Sequence, residues 1–89
     1  MSEDEPRGEC EPVVARLWEE LFNLARVGRL DNFFRLGGDS RLALRMIVRL
    51  TAQCGVRMHV TAVFQYPTVM ELARLIEDER SESAEIGTL

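Results

Sequence analysis

The chain has 89 residues, 46% of them hydrophobic, and a formal net charge of −4. That is enough for one domain with one modest core, and too apolar for a disordered polymer. No run of 18 apolar residues is present, and the acidic start MSEDEPRGECE lacks the basic-then-apolar pattern of a secretory leader, so the expectation is a cytoplasmic chain with no membrane contact.

The net charge hides an uneven distribution. Residues 1–11 and residues 77–89 each carry five acids and one arginine, whereas residues 12–76 hold nine arginines against five acids. The two acidic ends read as a flexible leader (1–11) and a flexible polar tail (80–89) around a folded unit at 12–79. Of the two cysteines, Cys10 falls in the leader and Cys54 inside a helical pattern. Neither a disulfide in a cytoplasmic chain nor a metal site built from Cys54 and His59 is expected, because two ligands are too few. Cys54 reads as a small buried apolar residue.

In chain order, Pro12 suits the first turn of a helix, and Val13, Val14, Leu17, Trp18 and Leu21 recur at helical spacing. This predicts a helix over about 12–22, closed by Asn23 in a left-handed conformation. Residues 24–39 form a long connection with Gly28, Asp31, Asn32, Gly37, Gly38 and Asp39 as turn residues. Leu24, Val27, Leu30, Phe33, Phe34 and Leu36 can anchor it, so order is expected. A second helix is predicted over Ser40–Cys54, capped by Asp39 or Ser40 and ended by Gly55. At about 100° per residue, Leu42, Ala43, Met46, Ile47, Leu50 and Cys54 fall in its core arc. Arg41, Arg45 and Arg49 form a stripe on another face, with Leu44 and Val48 beside it, nearest Ser40.

Val60–Phe64 has β-branched content but no pairing partner, so a short helical turn capped by Thr61 is expected. Pro67 keeps Tyr66 out of a helix. Thr68 to Glu71 reads as a capping box that opens a last helix over 68–79, with Val69, Leu72, Ala73, Leu75 and Ile76 apolar. The sum is an all-α chain of three main helices and one short one.

The stretch that carries chemistry is DNFFRLGGDS, Asp31 to Ser40. Two glycines before an Asp-Ser pair leave open backbone at a helix start, where free N–H groups and the positive end of the helix dipole suit a phosphate ester. The residues alone leave Ser40 either as an N-cap or as an attachment point. Beyond that, the segment resembles the carrier motif of nonribosomal peptide synthetases, in which a DNFF run, a Leu-Gly-Gly and an Asp-Ser or His-Ser pair occur together. Leu17-Trp18-Glu19-Glu20, Val27-Gly28, Ala43, Leu50, Gly55-Val56, Phe64, Pro67-Thr68 and Leu72-Ala73 match the pattern around it, so the resemblance spans about residues 10–80.

That resemblance implies a peptidyl carrier with a four-helix bundle of the acyl-carrier-protein type. It implies that Ser40 receives 4′-phosphopantetheine from coenzyme A through a phosphopantetheinyl transferase. The arm's thiol would then carry an aminoacyl or peptidyl thioester to and from an adenylation enzyme and condensation or tailoring enzymes. The chain would be a shuttle rather than a catalyst, monomeric, and, from its opening Met and polar end, free-standing. An acyl carrier for polyketide or fatty-acid intermediates is the alternative that DNFF and LGGDS disfavour. Asp39 is either a cap or a transferase-recognition residue.

The sequence departs from the family pattern at Arg41, where the residue after the attachment serine is usually apolar, and at Arg35, where an acid is common. Leu44 and Val48 are therefore candidates for an apolar partner contact, with Arg41 and Arg45 either charge selectors or a solvated face. A serine hydrolase using Ser40 and His59 lacks room for an oxyanion site and cleft. A nucleic-acid module using the arginine stripe is opposed by the acidic ends.

Overall fold

The computed structural model describes residues 5–87, with side chains through residue 80. The expectations for residues 1–4 and 88–89 lie outside the described residues. Four helices follow in order: α1 (Cys10–Phe22), α2 (Ser40–Cys54), α3 (Thr61–Gln65) and α4 (Val69–Gly87). Among the described residues the sole strand-like feature is an isolated antiparallel bridge between Asn32 and Thr68. Among the described residues no helix is long and apolar enough to cross a membrane. This is the expected all-α architecture, with α1 packed on α4 and, less extensively, on α2.

The periodic positions make the core. Val14, Leu17 and Trp18 of α1, Met46 and Leu50 of α2, and Leu72 and Ile76 of α4 are buried side by side. Each buried side chain of this size contributes on the order of 1.5–3 kcal/mol relative to exposure. Asn23 closes α1 at φ 55°, ψ 49°, and its N–H and that of Leu24 both donate to the Glu19 carbonyl. Gly55 closes α2 at φ 72° in the same manner.

Several details differ from the reading of the sequence. Helix α1 starts two residues early, so Cys10 and Glu11, read above as leader, are buried residues of the bundle. Both cysteines are free thiols; Cys54 is only partly buried, because the end of α2 lies at the edge of the core. Burial and the nearby Cys10 thiol push the Cys54 thiol above its ordinary value. Thr61 is not the cap of α3: Val60 holds that position with helical backbone and no side-chain bond. At α4 the Thr68 hydroxyl accepts from the Glu71 N–H at 3.2 Å. The Glu71 carboxylate, however, accepts a hydrogen bond from the Thr68 hydroxyl at 2.8 Å, where the capping box predicts a backbone donor. Helix α4 continues past 79 to Gly87.

Candidate functional site

The connection between α1 and α2 positions the site, and it is tied down at four places. Its entry is held by Glu19, whose carboxylate accepts from the Val27 N–H at 2.9 Å, and by Asp31, which accepts from Gly28 at 2.8 Å. In its middle, Arg29 forms a two-pronged ion pair with Glu11 at 2.8 and 3.0 Å, and its carbonyl accepts from the Met70 N–H of α4 at 2.9 Å. The hydrogen bond from Arg29 holds the Glu11 carboxyl below its ordinary value against the opposing effect of burial, with help from the Arg7 N–H.

The third anchor is Asn32-Phe33. Asn32 Oδ1 accepts from the Phe34 and Arg35 N–H groups at 2.9 and 3.2 Å, a side-chain-made turn. The Phe33 N–H donates to the Pro67 carbonyl at 2.7 Å, which ties the loop to the α3–α4 junction. The Phe33 ring is fully buried and meets Trp18, Phe22 and Phe34 edge-on, with centroids 5.1–5.4 Å apart. Such ring pairs contribute about 0.5–1.5 kcal/mol beyond their area.

The two glycines form the fourth, each for a separate reason. Gly37 sits at φ +108°, a conformation that side chains rarely adopt. Gly38 has no room for a Cβ: the added atom would collide with the Phe33 ring and come within 2.7 Å of the Phe33 carbonyl oxygen. The Gly38 N–H donates to that carbonyl at 3.0 Å. The backbone therefore lies flat on Phe33 and emerges at Asp39.

Asp39 is the N-cap of α2. Its backbone is extended (φ −138°, ψ −175°) and its carboxylate accepts from the Leu42 N–H at 3.0 Å. Of the two roles left open by the sequence, the capping one is thus present in the geometry. Ser40 is the first residue of α2 and exposed, and its hydroxyl has no hydrogen-bond partner among the described residues. The residue that stands out is therefore a free hydroxyl on the first turn of a 15-residue helix, with an anchored loop behind it.

The outer face of α2 runs away from Ser40. Leu44 and Val48 are 57% and 61% exposed, and Arg41 and Arg45 are exposed beside them. Arg49 differs from the other two arginines: it pairs with Glu20 of α1 at 2.6 Å. Phe64, in the short helix α3, is 51% exposed and stacks on Phe34, with centroids 4.9 Å apart and planes 20° apart. A five-residue helix buries only Ala62 and Val63 and leaves Phe64 on its outer side. Leu24 and Leu30 are likewise exposed, so of the six loop anchors expected, Val27 and Phe33 are fully buried and Phe34 and Leu36 partly so.

Two features of the site escaped the sequence reading. The Glu11–Arg29 pair was hidden because Glu11 counts as one more acid in an acidic end. Its spacing to Ala15 and Trp18, i+4 and i+7, was the available signal. The contact of Gly38 with Phe33 leaves no trace in composition.

Residues 12–76 match the family described as Phosphopantetheine attachment site. Among curated proteins, malpinin synthetase of Mortierella alpina is 50% identical over 70 residues, covering 79% of this chain and 1% of its own length. A solved nonribosomal peptidyl carrier domain superposes with a TM-score of 0.73 at 37% identity, over 80% of this chain and 91% of that one. A chain from the complex of the phosphopantetheine transferase Sfp with coenzyme A and a peptidyl carrier protein superposes with a TM-score of 0.81 at 27% identity, over 84% and 97%. The chain spans only 1–3% of the length of the curated relatives it matches. The bundle is thus shared with a known group: the chain belongs to the phosphopantetheine attachment site family and is a peptidyl carrier domain of the nonribosomal peptide synthetase kind.

Proposed function

We propose that Ser40 is the attachment residue and that the chain acts as a shuttle rather than a catalyst. The observation that carries this is the position of Ser40: it is the single serine in the family-matched span 12–76, and its hydroxyl is exposed and unpaired at the start of α2. The residues around it suit a phosphodiester. The Leu42 N–H is taken by Asp39, and the Ala43 N–H donates to the Asp39 carbonyl at 2.9 Å. The first N–H groups of α2 remain to face an anion at the positive end of the helix. When bound, the arm supplies a thiol that holds an acyl group as a thioester. The protein's own part is to keep that tether on a rigid helix, so that each partner meets the cargo at a raised effective concentration.

In this reading a phosphopantetheinyl transferase loads Ser40 from coenzyme A in the cytoplasm, an adenylation enzyme charges the thiol, and condensation or tailoring enzymes draw on it. Asp39, with one oxygen on Leu42, retains a second oxygen for transferase recognition. Arg41, Leu44, Arg45 and Val48 form the partner surface.

The test is intact mass after incubation with coenzyme A and Sfp. One phosphopantetheine unit is expected on the wild-type chain and none on Ser40→Ala, whose helical circular dichroism is unchanged. Modification of Ser40→Ala would end the assignment.

A further inference from the structure

The outer face of α2 consists of two rows. Residues four apart on a helix are surface neighbours, so Ser40, Leu44 and Val48 form one row and Arg41, Arg45 and Arg49 the next. The first row is apolar below Ser40, and its two apolar members are exposed. In the second row, like charges at i, i+4 disfavour the helix, and only Arg49 has its charge met, by Glu20. Arg41 and Arg45 face no carboxylate among the described residues, and neither does exposed Arg35, five residues before Ser40.

Residues 35–49 hold four arginines and one acid, and that acid, Asp39, faces the Leu42 N–H. After Glu20 is set against Arg49, a net charge of +2 remains around Ser40. The chain's own acids do not offset it, since most lie in α1 and α4. A purely structural role accounts for neither the repulsion along the arginine row nor the bare leucine and valine beside it.

We infer that this face docks an enzyme whose carrier-facing surface is an apolar patch rimmed by acids, with Leu44 and Val48 entering the patch and Arg35, Arg41 and Arg45 meeting the rim. The inference rests on the Ser40 reading and adds the sign of the partner. Complementary charge of this kind acts chiefly on the encounter rate and on rejection of partners of the wrong sign. A partner with a basic rim is rejected by the same arginines.

The test uses Sfp, whose surface facing a carrier is known from its complex. Two versions are made, one with acids and one with bases at the same rim positions. Each loads the wild-type chain and the Arg41→Glu/Arg45→Glu variant, and kcat/KM is followed by intact mass at about 50 and about 300 mM salt, conditions that straddle strong and weak screening. At low salt the acid-rimmed version is expected to load the wild type about tenfold faster than the base-rimmed version. The preference inverts on the Glu variant, and both differences shrink at high salt. The same preference on both chains, or no dependence on salt, overturns the inference while leaving Ser40 loading intact. Failure of every version to modify Ser40 sinks the carrier reading and the inference with it. Self-association of the wild type that the Glu variant loses, seen by sedimentation, would assign the face to a second copy and likewise overturn it.

Discussion

Two stretches meet at Ser40, and they are ordered by different means. Helix α2 needs little beyond its own sequence: a cap at Asp39, a stop at Gly55, and an apolar residue every three or four positions. The connection before it has no repeating hydrogen-bond pattern. It is held by contacts to distant residues, Phe33 against Trp18 and Phe22, the Phe33 N–H on Pro67 and Arg29 on Glu11, and by the close approach of Gly38 to Phe33 within the loop. Because both stretches are rigid, the hydroxyl at their junction has a defined place. A helix with one face in the core also has another to spare, and on α2 that face leaves Leu44, Val48, Arg41 and Arg45 exposed.

If the loop is as integral as the helix, Phe33→Ala and Leu50→Ala should destabilise the domain alike, by about 3–5 and 2–5 kcal/mol. Val48→Ala on the outer face should stay within about 0.5 kcal/mol. Urea unfolding of the three variants checks this, and a mild Phe33→Ala would show that the loop merely rests on the bundle.

A smaller effect isolates the glycine contact. Gly38→Ala should cost about 1–3 kcal/mol, the range for forcing extra atoms into a packed site, and should slow Ser40 loading by shifting the junction. Thermal unfolding together with loading rate measures both. A Gly38→Ala variant as stable as the wild type would mean that Phe33 yields easily.

The smallest effect concerns Glu11. Its carboxyl is held below its ordinary value in the fold, so its contribution is present above the unfolded value and is lost as pH falls through the folded one. Glu11→Gln should therefore lower Tm near pH 7, and the gap to the wild type should narrow in acid as Glu11 is protonated in the fold. A gap that stays constant with pH would assign the loss to packing instead of the Arg29 pair.

Much of this was legible in residue order. The bounds of α2, its cap and stop, the left-handed Asn23 and the apolar faces of α1 and α4 all follow from periodicity and end signals, and the open position of Ser40 follows from LGGDS. The loop's anchors were only half legible. Phe33 and Leu30 look alike as apolar loop residues, yet one is fully buried and the other is 54% exposed. Nothing local separates them, because burial in an irregular segment depends on which distant surface the chain meets. Phe64 stays outside for a related reason: a helix of one turn has too few residues to bury all of its apolar ones.

The amino-acid order by itself determined the four helices, both ends of the second and the serine placed at its start, since these depend on neighbours within a few residues. Only the tertiary structure decided that Glu11 reaches Arg29, that Gly38 lies against Phe33, and that Arg41 and Arg45 remain without a carboxylate where Arg49 finds Glu20. Each of these joins groups brought near by packing, and chain distance carries no information about such an approach.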